Sequence, residues 1–202
     1  MDYRRNALRQ YWVAAKLLLF MTVVLGVLYP LAITGVAQLA FPAQANGSPV
    51  RADGILVGSH LIGQRFVDAD GAALPEWFQS RPSAVDYDGG ASSGSNLGPE
   101  DPDLVDAIGQ RRRAVADLEG VAAASVPADA LTASASGLDP AISPAYARLQ
   151  IARVAAARGL DEAEVAALVE SRIQGGDLGY LSEPTVNVLE LNIALADLDS
   201  ND

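Results

Sequence analysis

The chain has 202 residues, enough for one ordinary domain and an appendage, and a formal charge of −11. It contains no cysteine, which excludes disulfides, a thiol nucleophile, cysteine-held metals and a lipid-modified N-terminal cysteine. Arg4, Arg5, Arg9 and Lys16 crowd the first 16 residues against Asp2 alone, leaving ten arginines against 24 acids in the remainder, and so acidic a body argues against nucleic acid as a partner.

No residue from Leu17 to Val50 is charged, and LLLFMTVVLGVLYPLAITGVAQLA (17–40) is almost wholly apolar. As a helix this run extends about 36 Å, enough for a hydrocarbon core of about 30 Å with some tilt. The chain therefore divides into a basic N-terminus (1–16), one transmembrane helix (17–40), a linker (41–50) and an outer domain (51–202). The basic flank predicts a single-pass protein of the cell membrane, with its N-terminus in the cytoplasm and its main domain outside. A cleaved signal peptide is the competing reading, with Ala43-Gln44-Ala45 as its processing site, but the apolar run is far longer than the usual core of about 7–15 residues. Within the span, Pro30 deprives the Gly26 carbonyl of its helical donor. Thr22, Gly26, Tyr29, Pro30, Thr34, Gly35 and Gln38 offer small, polar or kinked surface of the kind that packs against partner helices in lipid.

Beyond the span, Pro42, Asn46-Gly47-Ser48 and Pro49 form a linker of turn residues. RADGILVGSHLIGQRF (51–66) predicts one or two strands with a tight turn at Asp53-Gly54. WFQSRPSAVDYDGGASSGSNLGP (77–99) has no period, so it is a long loop, either functional or pinned by its own side chains. Asp101 caps a helix that begins at Pro102 and carries Leu104, Ile108, Val115 and Leu118 on one face. Arg111-Arg112-Arg113 read as a solvated, ion-paired face of that helix.

A second helix starts at Ser143-Pro144 and stops at Gly159, and a third runs from Asp161, boxed with Glu164, to Gly175-Gly176. Asn187 caps a fourth with Val188, Leu191, Leu195 and Leu198 aligned. The expected class is α+β: an N-terminal transmembrane helix, then a soluble extracytoplasmic domain with a small sheet and about four helices.

The residues offer little for catalysis. The single histidine, His60, has Ser92, Ser93 and Ser95 as possible nucleophiles, but there is no G-x-S-x-G elbow. Lys16 is the only lysine, so neither a Ser–Lys dyad nor a P-loop exists in the outer domain. The acid pairs Asp86/Asp88 and Glu100/Asp101 lack EF-hand spacing. No catalytic residue and no metal site is assigned. The pattern favours a partner subunit over two rivals, a free-standing anchored binding module and an anchored serine hydrolase.

Seven stretches, YPLAITGVAQ (29–38), QANGSPV (44–50), GSHLIGQRF (58–66), FQSRPSAVDY (78–87), SSGSNLGP (92–99), TASASGLDPAISPAYARLQIARVAAARGL (132–160) and VNVLELNIALADLD (186–199), resemble in order the KdpC family. That family is the C subunit of the Kdp-type high-affinity potassium-transporting P-type ATPase. The resemblance implies an accessory role in ATP-driven potassium import. Its implied partners are a channel-like potassium-binding subunit, a P-type ATPase subunit bearing the catalytic site, a tiny single-span subunit and membrane lipid. It also implies a chaperone-like effect that raises the ATPase subunit's affinity for ATP in a transient complex, with Gln150 as the nucleotide contact and no stably bound cofactor. ATP is cytoplasmic, whereas the inferred topology puts Gln150 outside. From the loop, Arg81, Tyr87 and Asn96 are expected to face a partner.

Overall fold

The computed structural model describes residues 2–176 and 178–199, with side chains from residue 6 to residue 198. The side chains of Arg4 and Arg5, counted in the basic flank, lie outside the described ones. Two compact units meet between Ser48 and Pro49.

The first unit is a helical rod. Helix α1 (Asp2–Val23) passes through a π-helical turn (Val24–Leu28) into α2 (Tyr29–Ala40), and a short α3 (Pro42–Ala45) follows. The stretch Asn6–Ala40 is long and apolar enough to cross a membrane, and none of its apolar window is buried within the protein. Pro30 explains the π turn: ahead of a residue with no N–H the helix widens, and the Tyr29 N–H bonds to the carbonyl of Val24, five residues back. At about 1.5 Å per residue the rod outruns a hydrocarbon core, so its N-terminal turns project beyond one. There the Lys16 ammonium lies 5.1 Å from the Trp12 ring centroid, a cation–aromatic pairing typical of a membrane interface. At the other end the amides of Gln38 and Asn46 bond to each other, at 3.1 and 3.4 Å, and close the helix terminus.

The second unit opens with an antiparallel hairpin, β1 (Pro49–Ala52) and β2 (Ile55–Ser59), with a bulge between Val50 and Arg51. Asp53 (φ 50°) and Gly54 (φ 78°) form the two-residue turn, whose doubly left-handed backbone suits the twist of the strands. Helix α4 (Pro102–Glu119) starts where expected, with the Asp101 carboxylate accepting from Asp103 N–H at 2.9 Å, and ends at left-handed Gly120.

A two-residue strand β3 (Ala141–Ile142) leads into α5 (Pro144–Leu149) and α6 (Ile151–Arg158). The expected single helix is thus interrupted at Gln150, and it stops at left-handed Gly159 as predicted. Helix α7 (Glu162–Ser171) is capped by Asp161 through Ala163 N–H at 2.7 Å. It ends four residues before Gly175, because Gln174 leaves to bridge Thr185 instead. Strand β4 (Val186–Asn187) pairs antiparallel with β3 and runs directly into α8 (Val188–Asp199).

The core lies among α4, α6, α7 and α8. Val154, Val165, Val169, Val186, Leu191 and Leu195 are wholly buried there, with Phe78 from the long loop.

Candidate functional site

The most elaborate construction in the second unit is the grip on residues 75–79. Their main chain bonds mostly to side chains rather than to a neighbouring strand. Asn192 on α8 accepts from Phe78 N–H at 2.9 Å and donates to the Phe78 carbonyl at 3.0 Å. Gln150 repeats this on the next residue, accepting from Gln79 N–H at 2.6 Å and donating to its carbonyl at 3.2 Å. Each amide imitates a strand edge, offering one donor and one acceptor to a buried peptide that would otherwise have neither.

Arg153 completes the grip. Its guanidinium donates to the carbonyls of Pro75 and Trp77, to Gln150 Oε1 at 2.8 Å, and to the Glu119 carboxylate at 3.0 and 3.1 Å. The Glu119 side chain is wholly buried and that of Arg153 nearly so. Burial pushes the Glu119 carboxyl above its ordinary value, against the downward pull of Arg153. Arg158 donates to the Glu76 carbonyl at 2.7 Å and stacks on Trp77, its guanidinium carbon 4.2 Å from the ring centroid.

A second lock holds the loop 80–99 against residues 132–139. Arg81 pairs with Asp139 at 2.7 Å and donates to the Thr132 carbonyl, and Ser83 donates to the Gly137 carbonyl at 2.7 Å. Asp86 (φ 52°) and Tyr87 (φ 61°) both adopt left-handed backbone, uncommon for an aromatic residue. Ser83 Oγ secures this turn by accepting from the N–H groups of Val85 and Tyr87, each at 3.1 Å. The Tyr87 hydroxyl donates to the Arg81 carbonyl at 2.7 Å, and burial pushes its pKa up to about 12, keeping it a neutral donor.

The structure thus brings Arg81 and Tyr87 together inside the domain, their polar atoms committed to its own loops. Asn96 stands apart, exposed and left-handed at φ 55°. Gln150 is fully buried with both amide atoms bonded. On the rod, Thr22, Gly26, Tyr29, Pro30, Thr34, Gly35 and Gln38 are all exposed. Thr22 and Gly26 stand one turn apart, and Pro30, Thr34 and Gln38 follow at four-residue intervals.

His60 lies in the turn just after β2, and its Nδ1 meets Glu190 Oε1 at 2.7 Å rather than a serine. The Ser92 and Ser93 hydroxyls donate to the carbonyls of Ser136 and Gly94. Asp86 pairs with Arg65, Asp88 accepts from Gly90 N–H, and Asp101 caps α4, so these carboxylates already have partners. Arg112 and Arg113 are solvated as expected. Arg111 is not: half-buried, it donates to the Leu131 carbonyl at 3.0 Å.

Sequence reasoning missed Gln79, Arg153 and Asn192. A signal was present: each of the last two is a polar residue in a helical run whose neighbours, Val154 and Leu191, are core.

The family described as "KdpC: K+-transporting ATPase, c chain" matches residues 11–197. A protein of Kineococcus radiotolerans named "Potassium-transporting ATPase KdpC subunit" is 55% identical over 192 residues, 94% of each chain. Proteins of the same name from Caulobacter vibrioides and Sorangium cellulosum are 54% identical over 178 residues (86% of each chain) and 53% identical over 185 (90% of this chain, 94% of the relative). Agreement along nearly the whole length, through the rod, both loop locks and the terminal helix, means that the chain belongs to the KdpC family, the c chain of the K+-transporting ATPase.

Proposed function

We propose that the chain is a non-catalytic accessory subunit of an ATP-driven potassium importer, needed to assemble and stabilise the complex. The observation that carries this is the match from residue 11 to residue 197 with potassium-transporting ATPase subunits of similar length. Physical support comes from the rod, whose small and polar positions are exposed and suit packing against a multi-span, potassium-binding partner. The basic N-terminal flank supports a cytoplasmic N-terminus with the acidic domain outside. The phosphorylated site and the ion filter belong to other chains.

Within the same proposal the chain raises the ATPase subunit's affinity for ATP. An outer domain reaches a cytoplasmic nucleotide only through the assembly, so Gln150, with no exposed atom, acts by holding residues 75–79 rather than by direct contact. Deleting the gene in a strain dependent on this importer should abolish growth on limiting potassium, and this chain should restore it. Growth without it would refute the accessory role. In the purified complex, the KM for ATP should rise when Gln150→Ala is introduced at a temperature where the domain stays folded.

A further inference from the structure

A groove of about 690 Å³ runs between α4 and the segment 65–82. Its walls are apolar, from Val67, Pro82, Val115 and Leu118, and its polar rim carries Arg65 and Arg111. No acid among the described residues lines it, although residues 17–202 hold 24 acids. Arg65 pairs with the exposed Asp86 at 2.9 Å. Arg111 is bonded only to the Leu131 carbonyl, and no carboxylate among the described residues pairs with it. The groove is therefore an apolar-walled cleft on a negative body, and its Arg111 has no carboxylate partner among the described residues.

At its floor lies Tyr146 on α5, 3% exposed. Its main-chain N–H bonds to Ser143, but among the described residues its hydroxyl has no hydrogen-bond partner. No partnerless side-chain oxygen or nitrogen among them is sealed from solvent, so this hydroxyl keeps some exposure, on a residue that lines the groove. A buried phenol ordinarily finds a partner inside the protein. This one lines the cleft without such a partner, and burial first, then the nearby Glu119 and Asp129 carboxylates, raise its pKa so that it stays a donor.

We propose that this groove docks a segment of a partner subunit in which an aspartate or glutamate sits beside apolar residues. The carboxylate accepts from the Tyr146 hydroxyl and from Arg111, with Arg65 as a second cation, while the flanking side chains cover Val115 and Leu118. The choice of an acidic occupant rests on charge complementarity. It presupposes the accessory-subunit reading.

The test uses the intact complex, with a photocrosslinking amino acid at Ala114, an exposed residue lining the groove, and at Asp117 on the same helix as a control. Ala114 should crosslink to one partner segment carrying an acid among apolar residues, and Asp117 should not. Arg111→Glu and Tyr146→Phe should each lower the yield, the former by about tenfold. Changing the captured acid to lysine should restore crosslinking to Arg111→Glu. Tyr146→Phe removes a hydroxyl with no internal partner, so it should leave the melting temperature unchanged. The proposal is overturned if Ala114 captures only lipid or nothing while the partners co-purify, or if both variants crosslink like the parent chain. Failure of the unaltered chain to bring down any multi-span partner would instead refute the accessory reading itself.

Discussion

Gln150 and Gln79 are bonded in both directions, side chain to main chain, at 2.6 and 3.2 Å, although 71 residues separate them. Asn192 grips the preceding residue, Phe78, in the same way. Gln150→Leu would fill the space but leave the Gln79 N–H and carbonyl buried without partners. At about 1–3 kcal/mol for each orphaned group, the expected loss is about 3 kcal/mol. For a domain of this size that lowers Tm by about 10 °C. A fall of less than about 3 °C would show that the pairing contributes little.

Glu119 gives the second unit a pH signature. Burial raises its carboxyl above the ordinary glutamate value of 4.5, so just above that value the folded state holds a proton that the unfolded chain has released. Stability from this group therefore falls as pH rises through the interval and levels off above the folded-state pKa. Glu119→Gln abolishes the effect. In urea unfolding from pH 4.5 upward, the substituted chain should gain more stability with rising pH, or lose less, than the parent chain. Parallel curves would contradict this.

Gly137 (φ 68°) sits where the loop 80–99 crosses residues 132–139. A β-carbon there would meet the Ser93 carbonyl oxygen at 2.6 Å and the Val85 side chain at 2.5 Å. Gly137→Ala should therefore detach the loop, lower stability by about 1–3 kcal/mol and open residues 83–98 to limited proteolysis. An unchanged digestion pattern would show that the lock is not needed to hold the loop.

Much of this fold is legible in sequence because its signals are local. Asp101, Ser143, Asp161 and Asn187 each cap a helix within three residues of themselves, and Asp53-Gly54 folds its own turn. The rod is legible from the uncharged run, and its π turn is a local response to Pro30. The grip on residues 75–79 is not legible, since it joins positions 71 to 114 residues apart through side chains with no period of their own. The break at Gln150 follows the same logic: helix propensity favours continuity there, and tertiary bonding of the amide prevails. Arg111 looks like its neighbours Arg112 and Arg113 in sequence, and only the approach of Leu131 sets it apart.

The absence of cysteine permits a clean topology test. Ser95→Cys should react in intact cells with a maleimide that cannot cross membranes, whereas Asn6→Cys should react only after lysis. The reverse pattern would place the acidic domain in the cytoplasm, next to the nucleotide.

The most direct measurement is purification of the tagged chain from its native membrane in mild detergent, with ATP hydrolysis assayed on what it brings down. An accessory subunit should arrive with large multi-span chains, and the preparation should hydrolyse ATP faster when potassium is added. Recovery of this chain alone, or of partners whose hydrolysis ignores potassium, would contradict the assignment.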